Sequence, residues 1–85
     1  DVHYLREKYL EMNRMLADAA RAADGVTYVD VYASSIGHDV CQGYGVAWIN
    51  TINIDPAGLP LHPNYLSHRN TAADVTAAIR SELGD

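Results

Sequence analysis

The sequence predicts an α/β architecture in which two amphipathic helices flank one strand and a long loop. Three observations lead there. Apolar residues recur at helical spacing over residues 2–24 and again up to Leu83, and Val29 and Val31 alternate with Tyr28, Asp30 and Tyr32. Gly25 then stops the first helix just ahead of that alternation. A helix, a glycine stop and a short strand in succession form the unit that layers helices on a parallel sheet. The 85 residues suffice for one small domain or a piece of a larger one. A chain this short buries only a modest share of its surface.

In the first helix, Leu5, Tyr9, Met12, Leu16, Ala19 or Ala20, and Ala23 form one apolar stripe. Glu7, Lys8, Glu11, Arg14, Asp18 and Arg21 lie mostly off it and read as a solvated face. Met12 and Met15 are packing residues, because an unbranched thioether fills gaps readily. Gly25 can take the left-handed conformation that closes a helix. The strand follows over residues 26–33, rich in β-branched and aromatic side chains. Asp30 belongs near the strand end, paired or solvated, since a buried unpaired charge is costly.

Residues 34–61 carry little regular structure, and a loop of that length in a small domain is functional or poorly ordered. Ser34-Ser35-Ile36-Gly37 and Gln42-Gly43-Tyr44-Gly45 are turn chemistry. Residues 46–50 and 51–54 read as short extended pieces, forming a hairpin about Asn50, and Pro56-Ala57-Gly58 turns the chain toward His62. The second helix starts near Asn64 to Ser67, with either residue able to cap it, and ends at Leu83 before Gly84. Ala72, Val75, Ile79 and Leu83 form its stripe, reinforced by Ala73 and Ala77.

Composition excludes several classes of function. A net charge of -5 with six Lys plus Arg does not provide the basic stripe that nucleic acid requires. No run approaches the ~18 apolar residues of a membrane span. The single Cys41 cannot close a disulfide within its own chain. No cofactor is expected. No signal peptide is visible at Asp1, and the absence of an initiating methionine points to a fragment or processed product.

Chemistry concentrates in Leu59-Pro60-Leu61-His62-Pro63-Asn64-Tyr65-Leu66-Ser67-His68-Arg69. Prolines on both sides limit the backbone around His62, and the following helix anchors the loop. An imidazole held at a fixed place is what a general base requires. Against this stands an ordinary loop histidine at a helix start. A metal site from His38, Asp39 and Cys41, with His62 and His68, is disfavoured because His-Asp-x-Cys matches no zinc spacing. Tyr44, Trp48, Ile52, Ile54, Leu59 and Leu61 either line an apolar pocket beside His62 or form a surface that other parts of the fold cover. The second arrangement would favour a homo-oligomer through exposed apolar surface.

His62-Pro63-Asn64-x-x-Ser67-His68-Arg69-x-x-Ala72 resembles the last conserved block of the SGNH (GDSL-type) esterases and lipases, most of all their secreted actinobacterial branch. Tyr28-Val29-Asp30-Val31-Tyr32, Gly37-His38-Asp39-Val40-Cys41 and Trp48 are similar to that branch's strand, loop and tryptophan, in the same order. The likeness covers roughly residues 26–80. It implies that residues 1–85 are the C-terminal part of a single SGNH-hydrolase-like domain, the αβα end of a three-layer, flavodoxin-like fold. It implies a serine carboxylic ester hydrolase with His62 as the catalytic histidine and an ester or lipid as substrate.

Two departures from the family pattern matter. An aspartate often stands three residues before the histidine, and here Leu59 does. The resemblance then gives the orienting role to the Leu59 backbone carbonyl, with Asp55 as the fallback third member. Ser67 replaces a glycine. Trp48, Leu61 and Asn64 are expected at the substrate pocket beside His62. By the same resemblance Cys41 becomes half of a disulfide to a cysteine outside this chain, in an extracellular setting. The Gly-Asp-Ser nucleophile block has no match, and Ser34, Ser35, Ser67 and Ser81 have no nucleophile-like context. The chain is therefore expected to be inactive alone and to need the N-terminal portion of the same enzyme as its partner. The competing expectation is a non-catalytic interaction module, two helices and an aromatic loop that bind a partner.

Overall fold

A computed structural model describes residues 2–50 and 59–84. Two α-helices account for its regular structure, α1 over Val2–Ala22 and α2 over Tyr65–Leu83, with a short 3₁₀ turn at Ala33–Ser35. The chain divides into two compact units, Asp1–Asp30 and Val31–Asp85.

In the first unit α1 ends as its sequence dictates. The Ala23 N–H still reaches the Ala20 carbonyl at 3.2 Å, and Gly25 takes φ 73°, a conformation that costs glycine no Cβ clash. Lys8 pairs with Glu11 at 3.1 Å and lies 5.4 Å from the Tyr4 ring centroid, while Arg21 pairs with Asp18. Both ion pairs are exposed and contribute little. Val26, Thr27 and Tyr28 line a shallow hollow with Ala17, Ala20 and Arg21. Ala20 is the buried residue of the helix, and Leu5, Tyr9, Met12 and Leu16 remain exposed.

The expected strand at residues 26–33 does not form, and the three-layer α/β architecture is not what the described residues build. Residues 26–31 are irregular, and the segment closes into the 3₁₀ turn at Ala33–Ser35, where the Ser35 N–H donates to the Tyr32 carbonyl at 2.9 Å. The physical reason is pairing. A strand is stabilised by a neighbouring ladder that satisfies its backbone groups, and among the described residues none pairs with this segment. Among the described residues sheet-like pairing is confined to one antiparallel contact between Ile49 and Pro63.

The second unit is organised around α2. Asn64 caps its start, the Asn64 Oδ1 accepting from the Ser67 N–H at 3.2 Å. Gly84 ends it at φ 78°, its N–H directed to the Arg80 and Ser81 carbonyls. The helix face that packs is mostly polar or small: Ser67, Asn70, Thr71, Asp74 and Ala78 are half-buried, with Leu66 beside them in the first turn. Asp74 Oδ2 accepts from Ser34 Oγ at 2.7 Å and from Asn70 Nδ2 at 3.2 Å, and Asn70 Nδ2 also donates to Ser34 Oγ at 2.6 Å. These bonds staple the 3₁₀ turn to the middle of α2. The apolar stripe expected to face a core, with Val75, Ile79 and Leu83, is exposed instead.

Candidate active site

His62 lies in the loop that enters α2, and two neighbouring segments fix its backbone. Residues 48–50 run antiparallel to residues 62–64. The Asn64 N–H donates to the Trp48 carbonyl at 2.9 Å, and the Asn50 N–H donates to the His62 carbonyl at 2.9 Å. Ile49 and Pro63 thus form the non-hydrogen-bonded pair between them. That register explains why a proline is tolerated there: at such a position the missing N–H leaves no ladder bond unmade.

Upstream of the histidine, Leu59-Pro60-Leu61-His62 forms a tight turn. The His62 N–H reaches the Leu59 carbonyl at 3.4 Å, Pro60 occupies the second position, and Leu61 stands third with φ 59°. This is the type II pattern, whose third position ordinarily favours glycine. A leucine held in the left-handed region carries backbone strain next to the candidate base. The Leu61 N–H is satisfied by the Asn50 carbonyl at 2.9 Å.

The imidazole is exposed, and its Nδ1 lies 2.8 Å from the Pro60 carbonyl. A carbonyl only accepts, so Nδ1 carries the proton and the neutral ring presents Nε2 as its basic nitrogen. The tautomer is assigned from this partner. The contact differs from the Leu59 carbonyl expected from the sequence. That oxygen is occupied by Asn50 Nδ2 at 3.1 Å and by the His62 backbone N–H. Asp55 lies outside the described residues.

Asn64, expected at a substrate pocket, clamps the backbone. Its Nδ2 donates to the Ala47 carbonyl at 2.7 Å while its Oδ1 caps α2. Trp48 stacks on His38, with centroids 3.9 Å apart and planes 8° from parallel. The Trp48 N–H donates to the His38 carbonyl at 2.8 Å, and His38 Nδ1 donates to the Val46 carbonyl at 2.7 Å. The Gly37-His38-Asp39 loop therefore braces the segment that carries Trp48 and Asn50. Leu59 and Leu61 are exposed on either side of Pro60, and Tyr65 is exposed just beyond. Asp39 Oδ1 accepts from the Cys41 N–H at 2.9 Å, and the Cys41 thiol is free and exposed. Among the described residues no three His, Cys, Asp or Glu side chains gather as metal ligands would.

Sequence reasoning passed over Asn50, the left-handed Leu61 and the Ser34–Asn70–Asp74 staple. Pro60 at the second turn position signals the turn, but no local pattern pairs Asn50 with a carbonyl nine residues away.

Arranged this way, the loop can hold a proton-transfer group of defined tautomer at a surface with apolar edges, which suits acid–base work on an uncharged substrate. The chain is 39% identical over 72 residues to a protein named Lipase 2 from Streptomyces coelicolor, a match that takes in 85% of this chain and 24% of the relative. The chain thus spans about a quarter of the length of the relative it matches. No protein-family profile and no solved structure matches it.

Proposed function

We propose that this chain is the base-bearing portion of a serine carboxylic ester hydrolase of the SGNH (GDSL) type. The observation that carries the reading is the His62 ring: exposed, anchored through Nδ1 to the Pro60 carbonyl, and seated on a backbone clamped at both ends. The similarity to Lipase 2 supports it. In this mechanism a serine hydroxyl from outside the chain attacks the ester carbonyl while His62 Nε2 takes its proton. The resulting imidazolium gives that proton to the leaving alkoxide, releasing an alcohol and an acyl-enzyme. Water then repeats the cycle and frees the acid. The Pro60 carbonyl takes the orienting role expected of the Leu59 carbonyl. As a neutral acceptor it fixes the tautomer but stabilises imidazolium less than a carboxylate does.

On the same reading the substrate is an ester or lipid, the N-terminal portion of the enzyme supplies the nucleophile, and the protein is secreted with Cys41 paired in a disulfide. The exposed apolar residues of α1 and α2 favour a second reading, a non-catalytic module that binds a partner through them. Ester hydrolysis by the full-length protein separates the two. His62→Ala should reduce kcat by about 10⁴-fold or more, the scale seen when an acid–base member of a catalytic triad is removed. Near-normal turnover by a folded variant rejects the assignment.

A further inference from the structure

Asn50 is a buried polar residue, 7% exposed, and its bonds to other described residues are directed at the turn carrying His62. Its N–H holds the His62 carbonyl at 2.9 Å, and its carbonyl holds the Leu61 N–H at 2.9 Å. Its side-chain Nδ2 holds the Leu59 carbonyl at 3.1 Å. His62 meets two carbonyls of the turn: its backbone N–H donates to Leu59 at 3.4 Å and its ring Nδ1 to Pro60 at 2.8 Å. Asn50 Nδ2 shares the first of these oxygens.

We propose that Asn50 is a positioning residue that selects the acceptor of the catalytic imidazole, tying down the Leu59 carbonyl so that the Pro60 carbonyl sets the orientation of the ring. The proposal rests on the esterase reading for its kinetic consequence, but its structural half stands apart from it. With the carboxamide gone, the Leu59 oxygen becomes a competing acceptor for the ring Nδ1–H, while the backbone bonds from Asn50 to Leu61 and His62 persist. The ring then samples orientations in which Nε2 no longer points at a hydroxyl. A misplacement of about 1 Å at a reacting group costs on the order of a hundredfold in rate.

The test uses the full-length protein carrying Asn50→Asp, which keeps the shape but removes the donor, and Asn50→Ala as a second variant. The Nδ1–H proton and nitrogen signals of the His62 ring report which acceptor it meets, and steady-state kinetics on a soluble ester report kcat and KM separately. In the parent the ring should give one Nδ1–H signal. In both variants that signal should shift or broaden as the ring exchanges between the Pro60 and Leu59 carbonyls, with kcat lower by about tenfold to a hundredfold and KM within about twofold. A fall in melting temperature with the ring signal and kcat unchanged overturns the proposal, and so does lost turnover with an unmoved ring signal. If neither variant folds, the parent decides: a scalar coupling across the hydrogen bond from Asn50 Nδ2 to the Leu59 carbonyl carbon supports it, and no coupling refutes it. Should His62→Ala leave ester turnover intact, the esterase reading fails while the ring signal still tests Asn50.

Discussion

Asn64 does two jobs with one carboxamide, and separating them gives the sharpest test of how the His62 loop is held. Asn64→Ala removes the cap on the Ser67 N–H and the bond from Nδ2 to the Ala47 carbonyl. Loss of an asparagine cap costs about 1 kcal/mol, and loss of a side chain–backbone bond costs about another 1 kcal/mol. Ala47 is buried at 6% exposure, so its carbonyl cannot readily recover the bond from water. The sum, about 2 kcal/mol, is a roughly thirtyfold change in a local opening equilibrium. Amide hydrogen exchange at Ser67 and His68 should therefore quicken by about that factor. Asn64→Asp keeps the cap oxygen and gains about 0.5 kcal/mol from a negative charge at the helix start, but it still leaves Ala47 without its donor. Its net cost, about 0.5 kcal/mol, should be about a quarter that of alanine. Equal effects of the two variants, or less than a threefold change in exchange for Asn64→Ala, refute the double-clamp argument. The backbone bond from the Asn64 N–H to Trp48 persists in both, so neither variant should release the loop entirely.

Two other substitutions probe the scaffold around this clamp. Asp74→Ala removes a charged acceptor from Ser34 and Asn70 in a half-buried setting, and should destabilise the second unit by about 2 kcal/mol in denaturant titration. Pairing it with Ser34→Ala should add less than the sum of the single effects, and strict additivity speaks against the staple. Leu61→Gly relieves a left-handed leucine while loosening the unfolded chain, so stability should stay within about 1 kcal/mol of the parent. Leu61→Val, β-branched and still at positive φ, should cost clearly more. Equal tolerance of valine and glycine in thermal melts contradicts the type II turn.

The helices were legible because their information is local. Asn64 as a cap, Gly84 and Gly25 as stops, and the apolar spacing within each helix all act over one or two turns. The strand was not, because β propensity at residues 26–33 describes a willingness to pair, and pairing depends on a partner elsewhere. Periodicity likewise identified the apolar stripe of α2 without deciding which side packs. The Ser34–Asn70–Asp74 bonds turn a polar face inward, and no spacing rule weighs three hydrogen bonds against Val75, Ile79 and Leu83. At the site, the two prolines limit the backbone on either side of His62. Which carbonyl the ring would meet depended on Asn50, and that link spans a loop.

Among the described residues, the His62 turn is held by backbone and carboxamide bonds. Of these residues Ala47 and Asn50 are buried beside it, whereas Leu59, Leu61 and Tyr65 stand open. A loop held this way can keep an imidazole at a fixed angle without sealing it from substrate, which an apolar plug over the ring would prevent. The arrangement also concentrates its weakness. Each of the bonds from Asn50 and Asn64 reaches a different backbone group, so no single partner can replace either carboxamide. Substitutions at these two positions should disturb the ring more than comparable substitutions at the exposed apolar residues beside it, because the former define where Nδ1 points and the latter only what surrounds Nε2.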